Sequence, residues 1–185
     1  MARQIRRFSA SLVRPGDNTA YAAGDQIANS ATAGSVVNPT FDLTGFRKAK
    51  LLKLGCDVTP ASSNLVITAF DFAALLFKVA DVVTATGDNV AINIAGVDRN
   101  KAAGKFVFSN AAWTNPAGAL TAGTSGFQEV LPAVPTVNGH HVEFTGVDVS
   151  GSSNKLALVL QALAAWTPTG IVNTFNFWLD AEVEP

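Results

Sequence analysis

FNFWLDAEVE, residues 175–184, alternates without a break. Phe175, Phe177, Leu179, Ala181 and Val183 fall on one side, while Asn176, Trp178, Asp180, Glu182 and Glu184 fall on the other. Successive side chains of an extended chain point to opposite faces, so the segment predicts a strand with one face in a core and one in water. The same period governs QIRRFSASLVR, residues 4–14, where Phe8, Ala10 and Leu12 share one side and the serines and arginines largely occupy the other.

Between these two ends, further strands are predicted near 36–43, 47–58, 65–72, 90–94, 105–109, 141–149 and 156–166. Turn residues punctuate nearly every gap, as in TPASSN, TGDN, TNPAG, VNGH and SGSSN. Many short strands without a βαβ rhythm predict an all-β fold, an antiparallel β-sandwich of jelly-roll type. One or two short helical turns are expected in its loops. DFAALLFKVADVV, 71–83, has apolar residues at helical spacings with Asp71 as an N-cap, and predicts a loop or short helix that is apolar nearly all round. GVDRNKAAGK, 96–105, predicts a short turn stopped by Gly104.

A chain of 185 residues fits one domain, 1–185, and no Pro/Gly/Ser-rich or charged tract is long enough to divide it. Surface scaling gives about 8,400 Å² exposed when folded, so roughly 70% of the extended-chain surface is buried and one core suffices. Charged residues are only 15% of the chain against 48% hydrophobic, which leaves either a generous core or apolar surface covered by a partner. The charge is uneven: net +4 over residues 1–60 and −5 over 61–185. The basic end lacks interleaved stacking aromatics, so no specific nucleic-acid partner is expected. A membrane partner is not expected either. The apolar stretch behind the basic N-terminus is too short for a signal h-region, and the uncharged run 156–179 is interrupted by Gln161, Pro168, Gly170, Asn173 and Asn176.

Residues capable of chemistry are sparse. Cys56 is the one cysteine and lies in an apolar-alternating run, as a buried filler would. His140 and His141 are adjacent, so on a strand they point apart and do not share a metal. No zinc, phosphate-loop or nucleophile-elbow motif occurs, and GTSGFQEV lacks the Lys-Ser/Thr that would hold a phosphate. Asp180, Glu182 and Glu184 share one strand face at roughly 6.5–7 Å steps, where solvent-facing charge is the ordinary explanation. No catalytic, cofactor-binding or metal-binding residue is assigned, and the chain is not expected to be an enzyme.

The segment RPGDNTAYAAGDQIANS, 14–30, sets the lone tyrosine between Asp17-Asn18 and Gly24-Asp25, two acidic turns behind the first strand. Tyr21 is expected to fill the sandwich edge as a structural latch, its hydroxyl reaching water or backbone. This segment resembles the N-terminal signature of the tailed-bacteriophage jelly-roll head decoration (cement) proteins. NLVITAFDF, 64–72, followed by GDNVAINIAGVDRNKAAGKFVF, 87–108, resembles that family's strand, acidic loop, turn and returning strand. NKLALVLQALAAWTPTGIVNTFNFWLDAEV, 154–183, resembles its closing hairpin. The segment 73–86 departs from the family by being more apolar.

The resemblance implies a bacteriophage virion structural protein made in the bacterial host cytoplasm and carried on the capsid surface. It would bridge and stabilise major capsid protein subunits, associate with itself as a homotrimer, and need no cofactor. Candidate subunit and capsid contacts are Arg3, Arg6 and Arg7 of a basic arm over residues 1–7, Leu75, Leu76 and Phe77 of the apolar segment, and Trp178 on the wet strand face. The alternative is a carbohydrate- or receptor-binding β-sandwich module of a phage tail or fibre, with Trp113, Trp166 or Trp178 as a stacking platform.

Overall fold

The computed structural model describes residues 3–60, 70–79, 82, 85–92, 94, 101–109, 126–131, 136–137, 140–141, 147–148, 154–168 and 172–185. The C-terminal segment forms β12 (Asn173–Glu184), a central strand between β1 (Gln4–Arg14) and β4 (Lys48–Pro60). Its alternation is realised: Phe175, Phe177, Leu179, Ala181 and Val183 are buried, and the residues between them face outward. Burying each such Phe, Leu or Val side chain stabilises by about 1.5–3 kcal/mol, so sliding β12 one residue would expose the whole set.

On the far edge of β4, β7 (Gly126–Val130) pairs with Leu54–Val58 and β10 (Val147–Asp148) with Lys48–Ala49. The second sheet centres on β11 (Lys155–Ala162) and β5 (Phe72–Lys78). Outside β5 lies β6 (Ala102–Phe108), and along the other edge of β11 lie β3 (Thr40–Asp42) and β2 (Gln26–Ile27). A separate two-stranded pair joins β8 (Thr136–Val137) to β9 (His140–His141). Every pairing among the described residues is antiparallel.

Numbering the sandwich strands β1, β3, β4, β5, β6, β7, β11 and β12 as one to eight, the two sheets run 1-8-3-6 and 2-7-4-5. That is the strand order of a jelly roll, as the punctuated period-two pattern predicts. One core fills the space between the sheets, with the Phe72 and Phe108 rings stacked at 4.5 Å and the edges of Phe70 and Phe72 turned onto Phe175.

Two irregularities keep that core filled. The pairing of β12 with β4 skips Leu52, because Asp180 faces Lys53 and Ala181 faces Leu51. The inserted residue lets Ala49 and Leu51 point inward on one side of the bulge and Leu54, Cys56 and Val58 on the other, a parity strict alternation could not give. In β6 the pairing with β5 shifts between Leu76 and Phe77. There Gly104 leaves room for Leu51, whose Cδ1 would lie 2.8 Å from an added Cβ.

Several expectations need correction. The segment read as a loop or short helix over 71–83 forms β5 from Phe72 to Lys78, and Leu75, Leu76 and Phe77 lie inside the molecule. Its all-round apolarity has a different cause from a helical plug. One face packs in the sandwich core, and the other, through Leu75 and Phe77, packs with Val159, Ile92 and Ile94 in a second cluster. A strand covered on both faces shows no alternation. Gly104 stops no turn but sits within β6, and Ala91 makes only a single bridge to Asp25 where a strand over 90–94 is predicted. The helical content among the described residues is a 3-10 turn at Ala33–Ser35 and the 3-10 residue Val79 directly after β5. Residues 65–69, 80–81, 83, 93, 96–100, 142–146 and 149 of the predicted elements lie outside the described residues, as does Trp113.

Candidate functional site

The outward face of the first sheet gathers Trp178 with most of the charged candidates, because β1, β12, β4 and β7 align them in register. Ser9 and Gly55 flank Trp178, Arg7 and Lys53 flank Asp180, and Glu129 lies opposite Gly55. Arg7 donates to both oxygens of Asp180, from Nε at 2.7 Å and Nη2 at 2.8 Å. Lys53 Nζ lies 2.8 Å from Glu129 Oε1 and 3.4 Å from Asp180 Oδ2, and the Trp178 indole N–H donates to Glu129 at 3.1 Å. The Arg7 guanidinium carbon is 5.8 Å from the Trp178 ring centroid, within cation–π range. Further along, Arg3 reaches Glu184 at 2.7 Å and Glu182 at 3.3 Å.

Trp178 lies flat because β4 offers glycine beneath it. A Cβ on Gly55 would sit 1.9 Å from the indole Cε2, so the ring occupies the space a side chain would take. Beside it is a shallow depression of about 440 Å³ lined by Ser9, Ala10, Ser11, Asn176, Phe177 and Trp178.

The Asp180 and Glu129 carboxylates are held ionised. The hydrogen bonds from Arg7 place the Asp180 carboxyl below its ordinary range, and the hydrogen bond from Lys53 does the same for Glu129. Reciprocally, Glu129 raises Lys53, Asp180 raises Arg7, and Glu184 raises Arg3. Isolated exposed pairs contribute about 0–1 kcal/mol, so the ladder chiefly fixes the orientation of Trp178 and cancels charge locally.

Gln4, Arg6 and Arg7 therefore lie in β1, and the basic segment is strand from Gln4 onward. Arg6 is set apart from Arg3 and Arg7 by strand parity. It falls on the inward face, stays exposed at the sheet's end, and donates to the Gln4 amide oxygen at 2.8 and 3.1 Å. Leu75, Leu76 and Phe77 are covered by their own chain and present no surface to another subunit in this conformation. Trp166 is 7% exposed, too covered to serve as a stacking platform.

A second constellation lies inside, at the end of β1. Arg14 is fully buried. Its Nε donates to the Tyr21 hydroxyl at 2.7 Å, its Nη1 to the Pro15 carbonyl at 2.9 Å, and its Nη2 to Asp17 Oδ1 at 2.8 Å. The Tyr21 hydroxyl in turn donates to Asp88 Oδ1 at 2.5 Å, an oxygen that also accepts from the Ala28 N–H at 2.8 Å. Tyr21 stacks on Trp166 at 5.1 Å, Trp166 stacks on Phe70 at 3.9 Å, and Arg14 lies over Tyr21 and Trp166 at 5.3 and 5.5 Å. Burial, then the Asp88 carboxylate, pushes the Tyr21 phenol far above its ordinary range, and burial raises Asp88. A phenol so hard to ionise and out of solvent reach makes a poor nucleophile or base. Tyr21 is a latch joining β1, the following turns and the Asp88 loop, with side-chain partners rather than the expected water or backbone.

Arg14 and Asp88 were not legible as partners, although Arg14 continues the inward series Phe8, Ala10, Leu12 and parity alone places it inside. Lys53, Glu129 and Gly55 became visible only through register. Cys56 is buried, and burial raises its thiol well above the ordinary value, as suits a filler. Among the described residues no group of three His, Cys, Asp or Glu side chains could hold a metal, and no helix is long and apolar enough to cross a membrane.

No family model matches the chain, and no curated protein matches it. Among solved structures it is similar to the decameric BFDV capsid protein, at 10% identity and a TM-score of 0.40 over 100% of both chains. It is also similar to a chain of the semi-empty VLP of giant freshwater prawn Macrobrachium rosenbergii nodavirus, at 11% identity and a TM-score of 0.33, covering 100% of this chain and 94% of that one. A third is the Penaeus vannamei nodavirus capsid protein deletion mutant in a T=1 subviral particle, at 17% identity and 0.35, covering 100% and 96%. The strand order, and not these superpositions, carries the fold assignment.

Proposed function

We propose that this chain is a virion structural protein, a bacteriophage capsid decoration or cement protein that binds where major capsid protein subunits meet and stiffens the shell. The observation that carries the reading is how the family-like segments fall in the fold. RPGDNTAYAAGDQIANS builds the Arg14–Tyr21–Asp88 latch behind β1, and the segment 154–183, expected as a closing hairpin, instead supplies β11 and β12 to opposite sheets, a central strand of each. Among the described residues, Asp180 and Glu129 are engaged in ion pairs, and Asp88 and Tyr21 lie in the interior. What the surface offers a partner is broad sheet face and strand edge, through which many weak contacts act together.

Decoration would place the protein on the outer capsid surface, with the major capsid protein and further copies of itself as partners. The resemblance implies threefold association. The test is binding to purified, mature, DNA-free shells: saturable, stoichiometric association supports the reading, and its absence defeats it.

The depression beside Trp178 favours a second reading, glycan or receptor binding on a tail or fibre, since an oriented indole with Ser9, Ser11 and Asn176 around it offers a stacking plane and hydroxyl partners. Glycan-array binding lost in Trp178→Ala would favour this reading over decoration.

A further inference from the structure

The strand β1 is paired along its whole length with β12, and among the described residues no strand pairs with its other edge. An edge of eleven residues is long, and its unpaired N–H and C=O groups are a template for another strand. Pairing two copies of QIRRFSASLVR antiparallel about a twofold axis at Ser9, the midpoint of β1, makes the overlap complete, Gln4 opposite Arg14 at both ends. On the outward face this register sets Ile5 against Val13, Arg7 against Ser11, and Ser9 against itself.

Ile5 and Val13 are 72% and 51% exposed, the large apolar side chains that β1 leaves in solvent. Only this register joins them. A slip of two residues either way puts Val13 opposite Arg3 or Arg7 of the second copy, and a slip of one places the outward face against the inward one. Charge also permits it. Arg7 is already neutralised by Asp180 and Arg3 by Glu182 and Glu184, and the two copies of Arg7 would stand about 13 Å apart along the strands, beyond the usual screening length.

We propose that the β1 edge is a self-complementary docking surface whose partner is a second copy of this chain, joined by roughly ten main-chain hydrogen bonds into one continuous sheet across an isologous twofold axis. The Ile5–Val13 contacts close the seam at both ends. Ser9, small and exposed, lets the strands meet at the axis, with each Trp178 one strand away. This pairing does not depend on the capsid reading, and it replaces the threefold association that the resemblance implies. A monomer that binds shells would sink the pairing alone, and a dimer indifferent to shells would sink the decoration role alone.

The experiment is native mass of the full chain by sedimentation from micromolar to millimolar concentration. The expected species is a dimer of twice 19.2 kDa. Ile5→Lys with Val13→Lys places like charges at both seam ends and is expected to weaken dimerisation at least tenfold. Ile5→Glu with Val13→Lys places opposite charges there and is expected to restore it. In parallel, Ser9→Cys is expected to give a reducible covalent dimer on mild oxidation, whereas Val37→Cys, also exposed but off the edge, gives none. A monomer at all concentrations, a trimer, or a dimer indifferent to the double lysine variant would overturn the proposal, as would failure of the Ser9→Cys variant to cross-link.

Discussion

At the scale of single residues, the informative positions are those where a side chain has nowhere else to go. The Tyr21 hydroxyl both accepts from Arg14 and donates to Asp88, so Tyr21→Phe leaves two buried polar groups short of a partner. The expected cost is about 1–3 kcal/mol, seen in thermal melting as a drop of roughly 2–4 °C per kcal/mol. A variant melting like the wild type would remove the latch. Asp88 adds a pH signature. Burial raises its carboxyl above the ordinary 3.8, so its proton is held more tightly folded than unfolded. Its contribution is full below pH 3.8 and is lost as pH rises through the raised value. The Asp88 Oδ2 atom has no hydrogen-bond partner and lies 3.7 Å from Arg14 Nε, whose charge works against that proton. The stability advantage of wild type over Asp88→Asn is therefore expected to shrink with rising pH; an advantage that grows instead would assign control to the Arg14 charge. At Gly55, Ala substitution forces the indole of Trp178 off β4, with an expected cost of about 1–3 kcal/mol and a shifted Trp178 indole N–H resonance.

At the scale of elements, β5 and the outward ladder make opposite demands. Leu75 and Leu76 are neighbours pointing to opposite faces of β5, yet both are buried. Leu75→Ala and Leu76→Ala are each expected to destabilise by about 2–5 kcal/mol in denaturant unfolding. If only Leu76→Ala were costly, the second cluster around Phe77, Ile92 and Val159 would not be packed as described. The ladder of Arg7, Asp180, Lys53 and Glu129 titrates in the sense opposite to Asp88. Its carboxyls are depressed, so their contribution is present above the ordinary values of 3.8 and 4.5 and is lost as pH falls through the lowered ones. Asp180→Asn is expected to flatten that acid limb of a melting-temperature profile; an unchanged profile would show that the pairs are not made in solution.

At the scale of the molecule, the first and last strands lie side by side, and the last is central. The sheet cannot close until the whole chain is available, so folding belongs with the slow, millisecond-to-second class of non-local β topologies. Removing residues 173–185 deletes the strand that joins β1 to β4, and is expected to abolish cooperative unfolding altogether. A truncated chain that still melted cooperatively would mean that β1 finds another partner.

The sequence by itself determined the all-β class, the strands that face a core on one side, and the position of a latch around Tyr21, because period-two alternation and turn chemistry are local properties of the chain. The two faces of β12 from Phe175 to Glu184 could be read for that reason. It misread β5, since a strand buried on both faces carries no alternation and its apolar residues also satisfy helical spacing. Only the tertiary structure decided which residues meet across strands: Gly55 beneath Trp178, Lys53 between Asp180 and Glu129, Asp88 against Tyr21, and the extra residue at Leu52 that keeps both halves of β4 in the core. Register is a property of pairs of distant segments, fixed by the packing of both sheets at once, and no single stretch of chain contains it.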